Sequence, residues 1–166
     1  MKELLDNLLA MDLAHARNLV LLDTSFFVSS MEHHERMEML LKVPFIAMTS
    51  FNAEELIHIE RNLSHSTRKN IRAFLKEGKI VIVSIDAHPG DWKGERAFVE
   101  LADPALLMHV HDPSDAVLIA AAIKTHSNVF TKDKHHLFTV ELQEFVKHYD
   151  IKVLKELHDL KASLPA

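Results

Sequence analysis

Four acidic islands each border an apolar run: Asp23 in NLVLLDTSFF, Glu54 and Glu55 in FIAMTSFNAEELI, Asp115 in HDPSDAVLIAAAI, and Asp133 in NVFTKDKHHLF. Parallel sheets carry their ligand sites at the carboxyl ends of the strands. Acids set just past strand-like runs, or on the first turn of the next helix, can therefore converge. Converged carboxylates make a metal site. Thr24 and Thr131 stand beside Asp23 and Asp133, where their hydroxyls could support the carboxylates or simply be strand threonines.

Each acid also has a plainer role. Asp112-Pro113-Ser114-Asp115 reads as a capping box, with Asp112 at the N-cap, Pro113 at the first helical position and Asp115 at the third. Asp23 could cap a helix beginning at Ser25, and Asp133 one beginning at Lys134. Glu55 alone would pass as an exposed helix residue. The joint pattern resists this, because capping does not explain why the first, second and fourth strands all end in acids.

Thirteen histidines suggest zinc or iron, but their spacing does not. His33-His34 and His135-His136 are adjacent pairs, which diverge by roughly 100° on a helix, and no HExxH motif occurs. Only Glu54 and His58, an i, i+4 pair, have a useful spacing. No GxxxxGK[ST], GxGxxG or GxSxG occurs among three glycines, which removes nucleotide-cradling loops and the nucleophile elbow. With no cysteine there is no disulfide, thiolate zinc site or cysteine nucleophile, as expected of a reducing cytoplasm.

The elements that must position these residues follow from periodicity. LVLL (19–22), FIAM (45–48), KIVIV (79–83), NVFT (128–131) and IKVL (151–154) are too short for helices, and amphipathic stretches separate them. This alternation predicts a single-domain, three-layer α/β/α fold with a parallel sheet of about five strands. The 166 residues and 48% hydrophobic composition suffice for a core. Breaks fall at Gly78, over 88–94 and at the Asp-Pro pairs 103–104 and 112–113, and residues 91–110 read as a helix and loop inserted before the Asp115 helix. MKELLDNLLAMDLAHAR reads as an amphipathic helix broken by acids, giving an N-terminal helix (1–18), a core (19–155) and a C-terminal tail (156–166). The longest apolar stretches, VLLDTSFFV and AVLIAAAI, fall short of the roughly 20 residues that span a bilayer.

A formal charge of −5 argues against general coating of nucleic acid. The basic residues nevertheless cluster, with Arg61, Arg68, Lys69, Arg72, Lys76 and Lys79 opposed only by Glu77. Two readings stay open: a solvated helix surface, or a track for a polyanion.

Taken in order, LDTSF, TSFNAEEL, SDAVLIAAAI and VFTKDKHHLF resemble the motifs of the PIN-domain nucleases, which include toxin ribonucleases of toxin–antitoxin pairs and RNA-processing enzymes. The resemblance covers roughly residues 19–155. It implies strand order 3-2-1-4-5, and Asp23, Glu55, Asp115 and Asp133 as catalytic ligands of Mg²⁺ or Mn²⁺, with Thr24 and Thr131 in support; Glu54, the other acid of the tandem, and Asp112, the cap of the Asp115 helix, are the further supporting residues expected beside them. The tandem Glu54-Glu55 leaves the second acid ambiguous, with Glu55 preferred because it precedes Leu56 and follows Thr49 by six residues. Ile119 departs from the family's Ala on the packing side of the third motif. The implied activity is metal-dependent endoribonuclease hydrolysis leaving 5′-phosphate and 3′-hydroxyl ends; for that activity the basic cluster supplies Arg68, Lys69 and Arg72, and the segment before Asp133 supplies Lys132, as the residues expected on the RNA. The implied partners are RNA, an antitoxin protein and a second copy of the chain, without a membrane. The alternatives are an inactive PIN-like module that binds RNA or protein, and a metal-dependent phosphatase.

Overall fold

The short apolar runs pair as one parallel sheet in the computed structural model, which describes residues 1–133 and 136–159. In chain order the elements are α1 (Lys2–Asp6), β1 (Ala10–Asp12), β2 (Val20–Leu22), α2 (Thr24–Met31), α3 (His34–Leu41), β3 (Ile46–Thr49), α4 (Ser50–Ile59), and a 3-10 turn (Glu60–Asn62). They continue with α5 (His65–Lys76), β4 (Val81–Ser84), α6 (Trp92–Ala102), α7 (Leu106–His109), α8 (Pro113–Thr125), β5 (Asn128–Phe130), α9 (Val140–Lys147) and β6 (Val153–Leu154).

The sheet runs β1-β4-β3-β2-β5-β6. Its last five strands are those read from the sequence, in the expected order 3-2-1-4-5. The sixth, β1, lies at the edge and corrects the N-terminal expectation. The helix foreseen over residues 1–18 stops at Asp6, and Ala10–Asp12 pair with Ile82–Ser84 of β4. The physical reason is an open ladder: β4 would otherwise leave an unpaired edge, and the backbone of Ile82 donates to Leu9 O at 2.9 Å. Tertiary pairing overrides the local helical pattern there. Of the expected tail, residues 160–166 lie outside the described residues, as does a helix start at Lys134.

Successive strand residues point to opposite faces, which divides the apolar side chains between two layers. Leu21, Ala47, Val83 and Val129 join the layer under α6, α8 and α9. Leu22, Met48, Ile82 and Phe130 join the layer under α1, α2, α3 and α5. Phe130 stacks on Phe26 of α2 with ring centroids 4.8 Å apart, so the first helix after an acid is anchored to the strand that leads to another. Burial of such a side chain contributes about 1.5–3 kcal/mol.

α8 is buried nearly all round, with every residue from Ala116 to Ile123 buried, which explains why AVLIAAAI shows no polar stripe. Asp112 caps it, accepting from Ser114 N at 3.0 Å, with Pro113 at the first helical position. Its far end closes on His126 in the left-handed region (φ 51). A helix so fully enclosed holds its first turn, and hence Asp115, in a fixed place. No helix among the described residues is long and apolar enough to cross a membrane.

Candidate active site

The four carboxylates face one small cleft at the carboxyl end of β2, β3 and β5. Asp23, Asn52, Glu55, Ser114, Asp115 and Asp133 line it, backed by Phe51, Leu118 and Leu137, around about 60 Å³. That is room for a small ion and very few waters.

Asp23 leaves β2 still paired to the sheet, its N–H donating to Phe130 O at 2.8 Å. It stands at the backbone N-cap position of α2 but makes no side-chain capping bond. Its Oδ2 accepts instead from Thr131 Oγ1 at 2.6 Å and from Ser25 Oγ at 3.2 Å. Capping is therefore not what this carboxylate does. Burial pushes its pKa up, against the hydrogen bonds from Thr131, Ser25 and the Thr24 backbone, and the charge of Asp133 pushes the same way.

The two threonines cross over. Thr131, two residues before Asp133 in the sequence, supports Asp23 and also accepts from Asp133 N at 3.0 Å. Thr24, next to Asp23, donates to Glu55 Oε1 at 3.0 Å. Each hydroxyl thus ties one motif to another.

Thr49 caps α4, accepting from Asn52 N at 3.1 Å and donating to Asn52 Oδ1 at 2.7 Å. This fixes the buried Asn52 with its amide nitrogen toward the acids: 2.8 Å to Glu55 Oε1, 3.2 Å to Thr24 Oγ1 and 3.4 Å to Asp23 Oδ1. Asn52 is not among the residues expected from the sequence. Its signal was present in the T-S-F-N-A-E-E spacing, which sets the amide one helical turn before Glu55 on the same face.

Glu55 is the second acid on the cleft, and Glu54 points away to His88 Nδ1 at 2.7 Å. Glu54 is therefore not paired with His58, which lines a surface groove elsewhere. Burial, then the neighbouring charge of Asp23, push the Glu55 carboxyl up to about 7, despite hydrogen bonds from Thr24 and Asn52. Since both donors bind Oε1, Oε2 is the atom left for a proton or a ligand. Asp115, in the first turn of α8, is also raised, first by burial and then by Asp112 and Asp133, with His136 opposing. Asp133 Oδ1 accepts from His136 N at 3.2 Å, and His136 Nδ1 lies 3.9 Å from Asp115 Oδ2.

A second omission is Glu95 of α6, fully buried, which accepts from Ser114 Oγ at 2.9 Å and from Gly90 N at 3.3 Å. It braces the start of α8 from behind the cleft. Nothing local in GERAF distinguishes it from a surface glutamate.

The basic residues lie apart from the acids. Arg68, Lys69 and Arg72 line a groove of about 540 Å³ on α5 with His65, Ala73 and Lys76, and none of them lines the cleft. Arg72 pairs with Glu60 at 2.9 Å. Lys132 lies nearer, yet its ammonium is paired with Glu156 at 2.9 Å and sits over the Phe26 ring.

Among the described residues no three His, Asp or Glu side chains are gathered tightly enough to close around an ion. The acids form an array facing one space rather than a finished coordination shell. In kind they fit a hard cation: every donor is oxygen, and like charges crowd where a positive ion would relieve them.

Strand order, helices on both faces and acids at the carboxyl ends define a PIN-like α/β/α fold. The chain is similar in structure to VapBC2 from Rickettsia felis, solved bound to a DNA fragment from its promoter, with a TM-score of 0.52, 14% identity, and coverage of 82% of this chain and 98% of that one. It is also similar to VapBC-1 from nontypeable Haemophilus influenzae, with a TM-score of 0.46, 16% identity and coverage of 82% and 97%. At such identities what is shared is the fold. No protein-family model and no curated protein matches the sequence.

Proposed function

We propose that this chain is a metal-dependent endoribonuclease that hydrolyses RNA phosphodiester bonds, acting as the toxin of a toxin–antitoxin pair in the cytoplasm. The observation that carries the reading is the cleft itself: carboxylates from α2's start, α4, α8 and the loop after β5 face one space, and Asp23, Glu55 and Asp115 all have raised pKa values. A fold keeps mutually repelling carboxylates in register only where something offsets their repulsion.

In this reading Asp23, Glu55, Asp115 and Asp133 hold Mg²⁺ or Mn²⁺. When bound, such a cation would supply an acidified water for in-line attack and charge to neutralise the leaving 3′ oxygen. The rest is the work of the chain. Thr131 and Asn52 hold the Asp23 carboxylate, and Thr24 and Asn52 hold Glu55 Oε1, which leaves Oε2 outside those bonds. In the metal-free cleft, burial and the charge of Asp23 push the Glu55 carboxyl up to about 7, so Glu55 would give up that proton and serve as a carboxylate ligand when a cation is bound. Phe51, Leu118 and Leu137 narrow the cleft and limit water. Single-stranded RNA suits so small a cleft, since splayed bases let a backbone phosphate reach a recessed site. Arg68, Lys69 and Arg72 carry the backbone away from the acids, and Lys132 joins them by releasing Glu156.

The structural similarity to VapBC2 supports an antitoxin as the protein partner; a second copy of this chain is the other partner in this reading. Purified protein with Mn²⁺ and an end-labelled single-stranded RNA should give internal cuts, and Asp23→Asn should abolish them. Turnover of a chromogenic phosphate ester without RNA cleavage would replace the reading with a phosphatase. RNA binding without any cleavage would replace it with an inactive module. A small gene immediately upstream, whose product co-purifies and silences the cuts, is the expected outcome for the toxin role.

A further inference from the structure

Beside the acidic cleft lies a second, larger concavity that the mechanism above does not use. It holds about 550 Å³ and is lined by three histidines, His109, His111 and His136, with Asp112, Val140 and Glu141 among its other walls. The volume is that of a small-molecule site, roughly 300–1,000 Å³. It adjoins the cleft through His136, which is hydrogen-bonded to Asp133 and stands 3.9 Å from Asp115. A nucleotide next to a phosphodiester in the cleft would reach it.

The walls favour a base over a phosphate. Asp112 and Glu141 are acids, which repel phosphate. Val140 is 78% exposed at the mouth of the groove, an apolar surface that a flat ring can cover. Imidazole rings stack on bases, as aromatic side chains do where single-stranded RNA is recognised. The His109 ring is held against Phe145, centroids 4.6 Å apart, and its Nδ1 has no hydrogen-bond partner among the described residues. The tautomer of a histidine is set by the bond its other nitrogen makes. With none made, the remaining edge of His109 can either donate or accept.

The acids also select among bases. Asp112 spends its Oδ1 on the cap of α8. Glu141, exposed in the first turn of α9, has no hydrogen bond among the described residues. A free carboxylate offers two parallel acceptors. Of the four RNA bases only guanine presents two adjacent donors, N1–H and the 2-amino group, on its Watson–Crick edge. Adenine and cytosine offer one amino group beside an acceptor, and uracil one imino donor between two carbonyls.

We propose that the groove of His109, His111, His136 and Glu141 is a nucleobase subsite for the residue flanking the scissile phosphodiester, with guanine as its preferred base. The inference rests on the ribonuclease reading for its place beside a scissile bond, but the groove can be tested without cleavage. Metal-free protein is titrated with GMP, AMP, CMP and UMP while the histidine ring signals are followed by NMR. GMP should shift the signals of His109, His111 and His136 and bind at least about tenfold more tightly than the others, and Glu141→Gln should remove that preference. His111→Ala, at an exposed loop position, should weaken all four nucleotides together.

Equal binding of the four, or shifts confined to histidines outside the groove, overturns the proposal. RNA cleavage with no base preference beside the cut and no GMP response leaves the ribonuclease reading standing and removes the subsite. A GMP response in a protein that never cuts RNA does the reverse: the groove remains a guanine site and the ribonuclease reading falls.

Discussion

The acidic cleft and the basic face of α5 carry charge in opposite ways. In the cleft, Asp23 and Glu55 are hydrogen-bonded by residues from other elements, Thr131 from the end of β5 and Asn52 and Thr24 from α4 and α2. Their pKa values are raised by burial and by one another. On α5 the cations project from one amphipathic helix whose other side, Thr67, Ile71, Phe74 and Leu75, is buried. There Arg72–Glu60 is an ion pair at a half-exposed site. A solvated cation costs the fold almost nothing and so says little about function. Like charges held together against burial cost stability, and their retention points to a ligand.

The strongest way to break this contrast is to remove one charge from each region. Asp23→Asn keeps the Thr131 hydrogen bond but loses the carboxylate at the centre of the cleft. RNA cleavage should fall by at least about 100-fold, beyond what loss of a supporting residue around a metal costs. Lys69→Gln should leave turnover at saturating RNA unchanged. If Asp23→Asn cuts RNA as fast as the parent protein, the cleft is not the catalytic centre.

Metal binding sharpens the contrast next. A ligand present at 100 times its dissociation constant, and bound only by the native state, stabilises by about 2.7 kcal/mol. Mn²⁺ in such excess should raise the urea midpoint accordingly, and Asp115→Asn should blunt the gain. Without metal, Asp115→Asn should be neutral or stabilising, because Asp112 and not Asp115 makes the capping bond to Ser114. A metal-free loss of about 1 kcal/mol would instead assign Asp115 a capping role. No Mn²⁺ effect on the parent protein would count against the ligand assignment.

The pH dependence of stability follows from Glu55. Its carboxyl titrates at about 7 in the fold against an ordinary 4.5, so the native state binds the extra proton between those values. The resulting stabilisation is fully present below pH 4.5 and is lost as the pH rises through about 7. Asp23 and Asp115, also raised, act in the same direction. Metal-free protein should lose on the order of 2 kcal/mol across this window, measured by urea unfolding, and Glu55→Gln should flatten the difference. Identical pH profiles for the two proteins would mean that Glu55 is not crowded.

Much of this was legible because strand ends and helix starts are local events. The strand-helix boundary at Leu22-Asp23, the cap at Asp112-Pro113 and the five core strands all follow from patterns a few residues long. The edge strand Ala10–Asp12 was not legible, since it exists only because β4 offers an open ladder about twenty helical turns farther along the chain. Asn52 and Glu95 were obscured for the same reason. Their meaning lies in partners, Asp23 and Ser114, that the chain brings near only after folding. The choice between Glu54 and Glu55 likewise needed the helix to be docked, which sends the first to His88 and the second into the cleft.

The smallest expected effects belong to α5, and they decide whether that face has any part in function. If Arg68, Lys69 and Arg72 each contact an RNA phosphate, neutralising one by substitution with Gln should lower the salt slope of single-strand binding by about 0.7, and all three together by about 2. The loss should be alike for every RNA sequence, since phosphate contacts carry no base information. Stability should change by less than about 0.5 kcal/mol at Lys69 and by no more than about 1 at Arg72, whose partner Glu60 stays near the surface. Metal affinity, set in a cleft that shares no lining residue with the α5 groove, should not move. A salt slope unchanged by the triple substitution would make α5 an ordinary solvated surface, and the RNA track would then have to be sought at Lys132, next to Asp133, since Lys124 stands in the last turn of α8, at the other end of that helix from Asp115.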